Sequence, residues 1–141
     1  MRIEEQDVDR LRLVLLRLAR RIRTSYEDEI TPSQLSVMAL LAREGALTVG
    51  QIADREHVRP PSASKIVGAL EQAGLVERTV DPTDRRCQPI TLTGAGRQTI
   101  DRARLAGRTF LTDRLDDLTS DEADALLAAL PALERLLGSA E

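Results

Sequence analysis

From Asp7 to about Ser25 apolar residues recur at alternating steps of three and four, at Val8, Leu11, Leu15, Leu18 and Ile22. So narrow a stripe predicts a helix that packs against one or two partner helices. The opposite face carries Arg10, Arg12, Arg17, Arg20, Arg21 and Arg23. It is either a solvated surface or, at Arg20 to Arg23, a contact to phosphates. Near the other end Leu126, Leu130, Leu133 and Leu137 step by four, three and four, with Pro131 set to bend that helix near Leu127. One small domain cannot easily bury leucine stripes at both ends. The economical solution is a two-fold dimer in which the first and last helices interlock.

Between the stripes the pattern breaks into short pieces. Thr31-Pro32-Ser33-Gln34 has the chemistry of a helix start, with Thr31 as cap, Pro32 in the first turn and Gln34 reaching back. Leu35, Met38, Leu41 and Ala42 then supply an apolar face, and Gly45 ends it. Thr48-Val49-Gly50-Gln51 repeats the capping pattern and opens a short helix through Ile52 and Ala53 to Glu56. A turn at His57-Val58-Arg59 leads to Pro60 and Pro61, which are tolerated only in a first helical turn. Two short helices joined by such a turn make a helix-turn-helix, whose second helix enters the major groove of DNA. The free amides at Thr48 could also hold a phosphate.

In the helix from Pro60, the residues Ile66, Val67, Leu70 and Ala73 share one face, and Ser62, Ser64, Lys65 and Glu71 lie elsewhere. Gly74 ends it. Leu75 and Val76 begin an extended run through Thr79, Asp81-Pro82-Thr83-Asp84 has turn chemistry, and Ile90 and Leu92 alternate with polar neighbours. The outcome is a two-stranded hairpin tipped by Arg85 and Arg86. A long helix follows from Thr93-Gly94, with Ile100, Ala103, Phe110, Leu111 and Leu115 as apolar members, and Thr119 with Glu122 forms a third capping box.

The leucine-initiated segments before the Pro60 helix, the LEQAGLVER junction, the DPTDRR tip and the LTGAGR after it resemble, in this order and spacing over roughly Leu35 to Arg97, the MarR family of bacterial transcription regulators. The resemblance implies a mainly α winged helix-turn-helix of about six helices plus a two-stranded β-wing. It implies one domain over 1–141, with 31–97 the DNA-binding region and 1–30 and 98–141 dimerisation helices. It also implies an obligate homodimer, a repressor acting on a pseudo-palindromic operator, and a small phenolic or aromatic carboxylate effector. Leu11, Leu15, Leu18, Leu126, Leu130, Leu133 and Leu137 would form the dimer interface. Asp84 would orient one wing arginine by an ion pair while the other enters the minor groove. Tyr26, Met38 and Phe110 would line the effector cleft, with an arginine of the first helix for the anion. An aromatic residue at helical spacing is more often core than ligand cradle.

Composition narrows the chemistry. Charged residues are 30% of the chain and aromatic ones 1%, so Leu, Val, Ile and Ala must build the core. No apolar run is long enough for a membrane span, and MRIEEQDVDR has acidic residues where a secretory signal needs basic ones, which predicts a cytoplasmic protein. Single residues Cys87 and His57 leave no metal cluster and no nucleophile-base pair, so neither a cofactor nor an enzyme is expected. A net charge of −3 argues against binding nucleic acid through overall charge, but a DNA reader depends on where its cations sit.

Those cations and donors are Arg59, Pro61, Ser62, Ser64 and Lys65 at the start of the Pro60 helix and Arg85 and Arg86 at the hairpin tip. Serine hydroxyls can read base edges, a proline ring can lie against a thymine methyl, and arginine suits the narrow minor groove. Arg59 cannot cap through a side-chain oxygen, so it is either a phosphate contact or a weakening of the helix start. Cys87 beside two arginines could sense oxidation. The alternative function is a winged-helix module that docks proteins without specific DNA binding.

Overall fold

The computed structural model describes residues 2–26 and 29–138. Among these the elements are α1 (Glu5–Arg23), α2 (Pro32–Glu44), α3 (Val49–Glu56), α4 (Pro60–Gln72), β1 (Val76–Arg78), β2 (Ile90–Leu92), α5 (Gly94–Asp116), α6 (Ser120–Ala128) and α7 (Leu130–Leu136). The fold is mainly helical with a small two-stranded wing, as the pattern predicts. The chain divides into two compact units, Met1–Gly107 and Arg108–Glu141.

In the first unit α2 is the central element. Its Val37, Met38, Leu40 and Leu41 are buried against Ile52 and Ala53 of α3, Ala63, Val67 and Leu70 of α4, Val76 and Ile90 of the wing strands, and Ile100 of α5. The buried face of α2 is thus wider than the Leu35-Met38-Leu41-Ala42 stripe, and Leu35 and Ala42 sit at its edge. On α4 the buried residue the spacing missed is Ala63, while Ala73 caps the helix and is exposed. Alanine carries too little apolar area to announce itself in a periodicity count, yet at a close helix crossing it is the size that fits.

All three capping boxes form. The Thr31, Thr48 and Thr119 side chains accept from the main-chain N–H of Gln34, Gln51 and Glu122, which reach back in turn to the threonine amides. Antiparallel β1 and β2 pair Val76 with Leu92 and Arg78 with Ile90. Leu47 adds a bridge to the outer side of β2, with Ile90 N–H to Leu47 O at 2.7 Å and Leu47 N–H to Ile90 O at 3.1 Å. That bridge fastens the wing to the segment between α2 and α3.

One junction ties α4, the wing and α5 together. Gly74 ends α4 with φ at 73°, a left-handed value that glycine adopts without strain. Thr93 Oγ1 donates to Gly74 O at 2.6 Å and accepts from Gly96 N–H at 3.1 Å, while Thr93 N–H donates to Leu75 O at 3.1 Å. A Cβ at position 96 would lie 2.1 Å from Leu75 O, so α5 can start here only on glycine. The second glycine of LTGAGR therefore answers a backbone approach 21 residues back in the chain.

None of the α1 residues is buried. Val8, Leu11, Val14, Leu15 and Leu18 are all more than a third exposed. In its last turn Ile22 Cγ2 faces Gly107 of α5. In the second unit Arg114 lies over the Phe110 ring at 5.4 Å. Pro131 interrupts the terminal helix close to Leu127, as expected, at the single residue Ala129, whose φ of −80° and ψ of −13° stay in the right-handed helical region. α6 closes at Ala128, and Pro131 occupies the first turn of α7, where its missing N–H is not needed. Leu126, Leu130 and Leu137 are exposed and Leu133 half-buried.

Candidate nucleic-acid interface

The turn between α3 and α4 sets the pose of the second helix. His57 adopts φ 53° and ψ 41°, the left-handed region, and caps α3, while Val58 N–H reaches back to Ala53 O at 3.0 Å. A histidine there replaces the usual glycine at a modest backbone cost, and nothing in the local sequence announces it. At the start of α4, Arg59 makes no side-chain cap. The weakening this suggests is offset by the two prolines, because Pro60 and Pro61 have no N–H to satisfy and Ser62 N–H already bonds Arg59 O at 3.0 Å. The Arg59 side chain has no hydrogen bond or ion pair among the described residues.

Burying Ala63, Val67 and Leu70 turns the opposite side of α4 to solvent. Pro61, Ser62, Ser64 and Lys65 are all exposed, as is Arg59. The first turns of α4 thus offer two hydroxyls, an ammonium and a guanidinium, the groups that can address base edges and phosphates.

Beyond its two strands the wing continues through Thr79 N–H to Pro89 O at 2.9 Å and Asp81 N–H to Cys87 O at 3.3 Å. Its tip is organised by two aspartates. Thr83 donates its hydroxyl and its N–H to Asp81 Oδ1 at 2.7 and 2.9 Å, and these bonds hold the Asp81 carboxyl below the ordinary carboxylate value. Asp84 Oδ1 accepts from the Arg86 main-chain N–H at 3.0 Å. The ion pair from Asp84 to a wing guanidinium implied by the resemblance is absent among the described residues. A short carboxylate two residues before an amide closes an Asx turn more readily than it reaches a flexible arginine terminus. Asp84 therefore positions Arg86 through the backbone, and Arg85 and Arg86 are both exposed at the tip. Cys87 is half-buried and carries a free thiol.

Of the residues expected around an effector, Met38 does not line a cleft. Met38 is fully buried in the core and offers no surface to a ligand. Tyr26 is half-buried, and the arginine beside it comes from α5, with Arg102 Nε donating to Tyr26 Oη at 3.4 Å and Arg102 Nη2 to the buried Thr99 Oγ1 at 3.3 Å. A separate cavity of about 270 Å³ is lined by Arg23, Pro32, Ser33, Ser36, Glu56, Val58 and Ile66, and Ser36 Oγ donates to Glu56 Oε2 across it at 2.6 Å. Among the described residues no group of His, Cys, Asp or Glu could hold a metal ion, and no helix is long and apolar enough to cross a membrane.

The model of the MarR family matches residues 30–88, the span from α2 to the wing. An uncharacterised HTH-type transcriptional regulator of Mycobacterium leprae is 37% identical over 128 residues, 90% of each chain. The HTH-type transcriptional repressor MdtR of Bacillus subtilis is 36% identical over 113 residues, 79% of this chain and 70% of MdtR. Among solved structures, a MarR family protein from Bacillus stearothermophilus superposes with a TM-score of 0.78 at 25% identity, over 96% of this chain and 99% of that one.

Proposed function

The chain belongs to the MarR family of DNA-binding transcriptional regulators, which are transcription factors and not enzymes, and on that premise we propose that it is a dimeric repressor whose DNA affinity responds to a small aromatic carboxylate. The observation that carries the DNA reading is the outward placement of Arg59, Pro61, Ser62, Ser64 and Lys65 at the start of α4 and of Arg85 and Arg86 on the wing. α4 reads the major groove, and a wing arginine enters the minor groove. Residues 31–97 form the reading head, and 1–30 with 98–141 supply the dimer helices. Support for that division comes from the exposure of Leu11, Leu15 and Leu18 on α1 and of Leu126, Leu130 and Leu137 at the other end. Two heads held about 34 Å apart would meet half-sites one helical turn apart. The repressor assignment follows MdtR, which is named a transcriptional repressor.

For the effector, the cavity beside Arg23 is the better-formed candidate. Its guanidinium suits a carboxylate, Pro32, Val58 and Ile66 suit a ring, and its walls run from α1 to α4. An occupant there would favour one placement of α4 over another, which is a population shift between DNA-competent and incompetent forms.

The test is a gel-shift and footprinting assay on duplexes that the protein selects from a random pool. Arg86→Ala should weaken specific binding about ten- to hundredfold with an unchanged circular-dichroism spectrum. Undiminished affinity would refute the wing assignment, and failure to select any duplex would favour a protein-docking role. Adding salicylate or a related acid should release the DNA, and Arg23→Ala should abolish that release.

A further inference from the structure

Arg78 is a cation that the reading head holds ready for a partner. It lines a crevice of about 380 Å³ between the wing and α3, together with Thr48, Val49, Gly50, Arg86 and Gln88. Its Nε donates to both carboxylate oxygens of Glu71, at 3.3 and 3.2 Å. Its two terminal nitrogens make no hydrogen bond among the described residues. The Arg78 and Glu71 side chains remain 31% and 41% exposed, and ion pairs so open to water add little to stability. What the contact does supply is direction. A guanidinium held at Nε by a carboxylate on the last turn of α4 turns its terminal nitrogens away from that carboxylate.

Two guanidinium groups line one crevice that has no carboxylate in its lining. With Nε taken by Glu71, Arg78 keeps its terminal nitrogens for an anion in the crevice beside Arg86, and an oxyanion with several acceptor oxygens matches two arginine forks best. Since Arg86 belongs to the wing that meets the duplex, the anion that arrives with it is a phosphate of the DNA backbone. We propose that Arg78 and Arg86 clamp one backbone phosphate, with Glu71 as a positioning residue that aims Arg78. The clamp rests on the DNA reading above and adds a residue to it. Because Glu71 sits on α4 and Arg86 at the wing tip, the phosphate also ties the end of α4 to the wing, and Arg85 is left as the wing arginine for the minor groove.

The experiment measures affinity against salt concentration for a duplex selected by the wild-type protein, using Arg78→Gln, Glu71→Gln and the double variant. Arg78→Gln should weaken binding to selected and scrambled duplexes alike, and lower the slope of log affinity against log salt by about 0.9 per protomer bound. Glu71→Gln should keep that slope, weaken binding by less than Arg78→Gln does, and add nothing in the Arg78→Gln background. A loss of fold alone would reduce the active fraction and leave the slope unchanged, so the slope identifies the contact. An unchanged slope in Arg78→Gln, with Arg86→Ala still defective, would overturn the clamp and leave DNA reading intact. A full Glu71→Gln effect in the double variant would overturn the positioning role. Saturable binding of inorganic phosphate to the DNA-free protein, followed by the Arg78 Nε–H resonance, would assign the crevice to a free anion and overturn the clamp as well.

Discussion

Replacing Gly96 by alanine should destabilise this protein, although the same change in most helices does the opposite. The added Cβ would sit 2.1 Å from Leu75 O and 3.1 Å from Leu92 Cδ2. Carbon and carbonyl oxygen ordinarily approach no closer than about 3.3 Å, so the first turn of α5 must back away from Leu75 by about an ångström. Overpacking of that kind costs about 1–3 kcal/mol. Losing the hydrogen bond from Thr93 N–H to Leu75 O adds about 1 kcal/mol. Against this stands the gain of about 0.5–1 kcal/mol from removing a glycine from a helix. The net loss is about 1–3 kcal/mol, or a fall in melting temperature of roughly 3–10 °C for a chain of this size. Gly68 is the internal control, because it lies within α4 and nothing approaches its missing Cβ within 4 Å. Gly68→Ala should raise stability by about 0.5–1 kcal/mol. Urea unfolding followed by circular dichroism, at one protein concentration because a dimer's stability depends on it, reads both. If Gly96→Ala unfolds at the same urea concentration as the parent or a higher one, the Thr93–Gly96 junction is not the constraint inferred here.

Leu130→Glu should turn the dimer into a monomer in analytical ultracentrifugation, and a persisting dimer would exclude the terminal leucines as its interface. At position 57, where φ is 53°, His57→Gly should leave stability within about 0.5 kcal/mol, whereas His57→Val should lose about 1–2 kcal/mol; equal effects in thermal melts would mean that the histidine ring, not its backbone, matters. Glu122 is held below its ordinary pKa of 4.5 by the Thr119 main-chain N–H and then by the Thr119 hydroxyl. Its folded pKa is the lower one, so its contribution is complete above the unfolded value and disappears as pH falls through the depressed one. Glu122→Gln keeps a capping partner of the kind seen at Gln34 and Gln51 but cannot titrate, so it should flatten the acid limb of melting temperature against pH; an identical limb in the variant would remove Glu122 from the account.

How far the sequence foretells all this depends on the range of each interaction. The capping boxes at Thr31, Thr48 and Thr119 were readable because donor and acceptor lie three residues apart and the pairing is set by backbone geometry alone. So were the double-proline start of α4 and the turn at the wing tip. What escaped were features decided by distant neighbours. LTGAGR identifies the start of α5, but only the approach of Leu75 O explains why Gly96 must be glycine. Met38 lay on the apolar stripe and was also offered to a ligand, and the convergence of α3, α4 and the wing on α2 left it in the core. The resemblance gives Asp84 a guanidinium partner, whereas the nearer donor is the main-chain N–H two residues on. Arg78 reads as one more strand residue, and its pairing with Glu71, seven positions earlier, is a contact that local pattern does not announce.

The knot at Gly74, Leu75, Thr93 and Gly96 also has a mechanical meaning. The exit of the reading helix, the root of the wing and the first turn of α5 share one set of short bonds, so they cannot swing separately. A tilt of that first turn would therefore be passed to the end of α4 and to the wing together, as a crank turns a shaft, with four residues setting the stiffness of the joint.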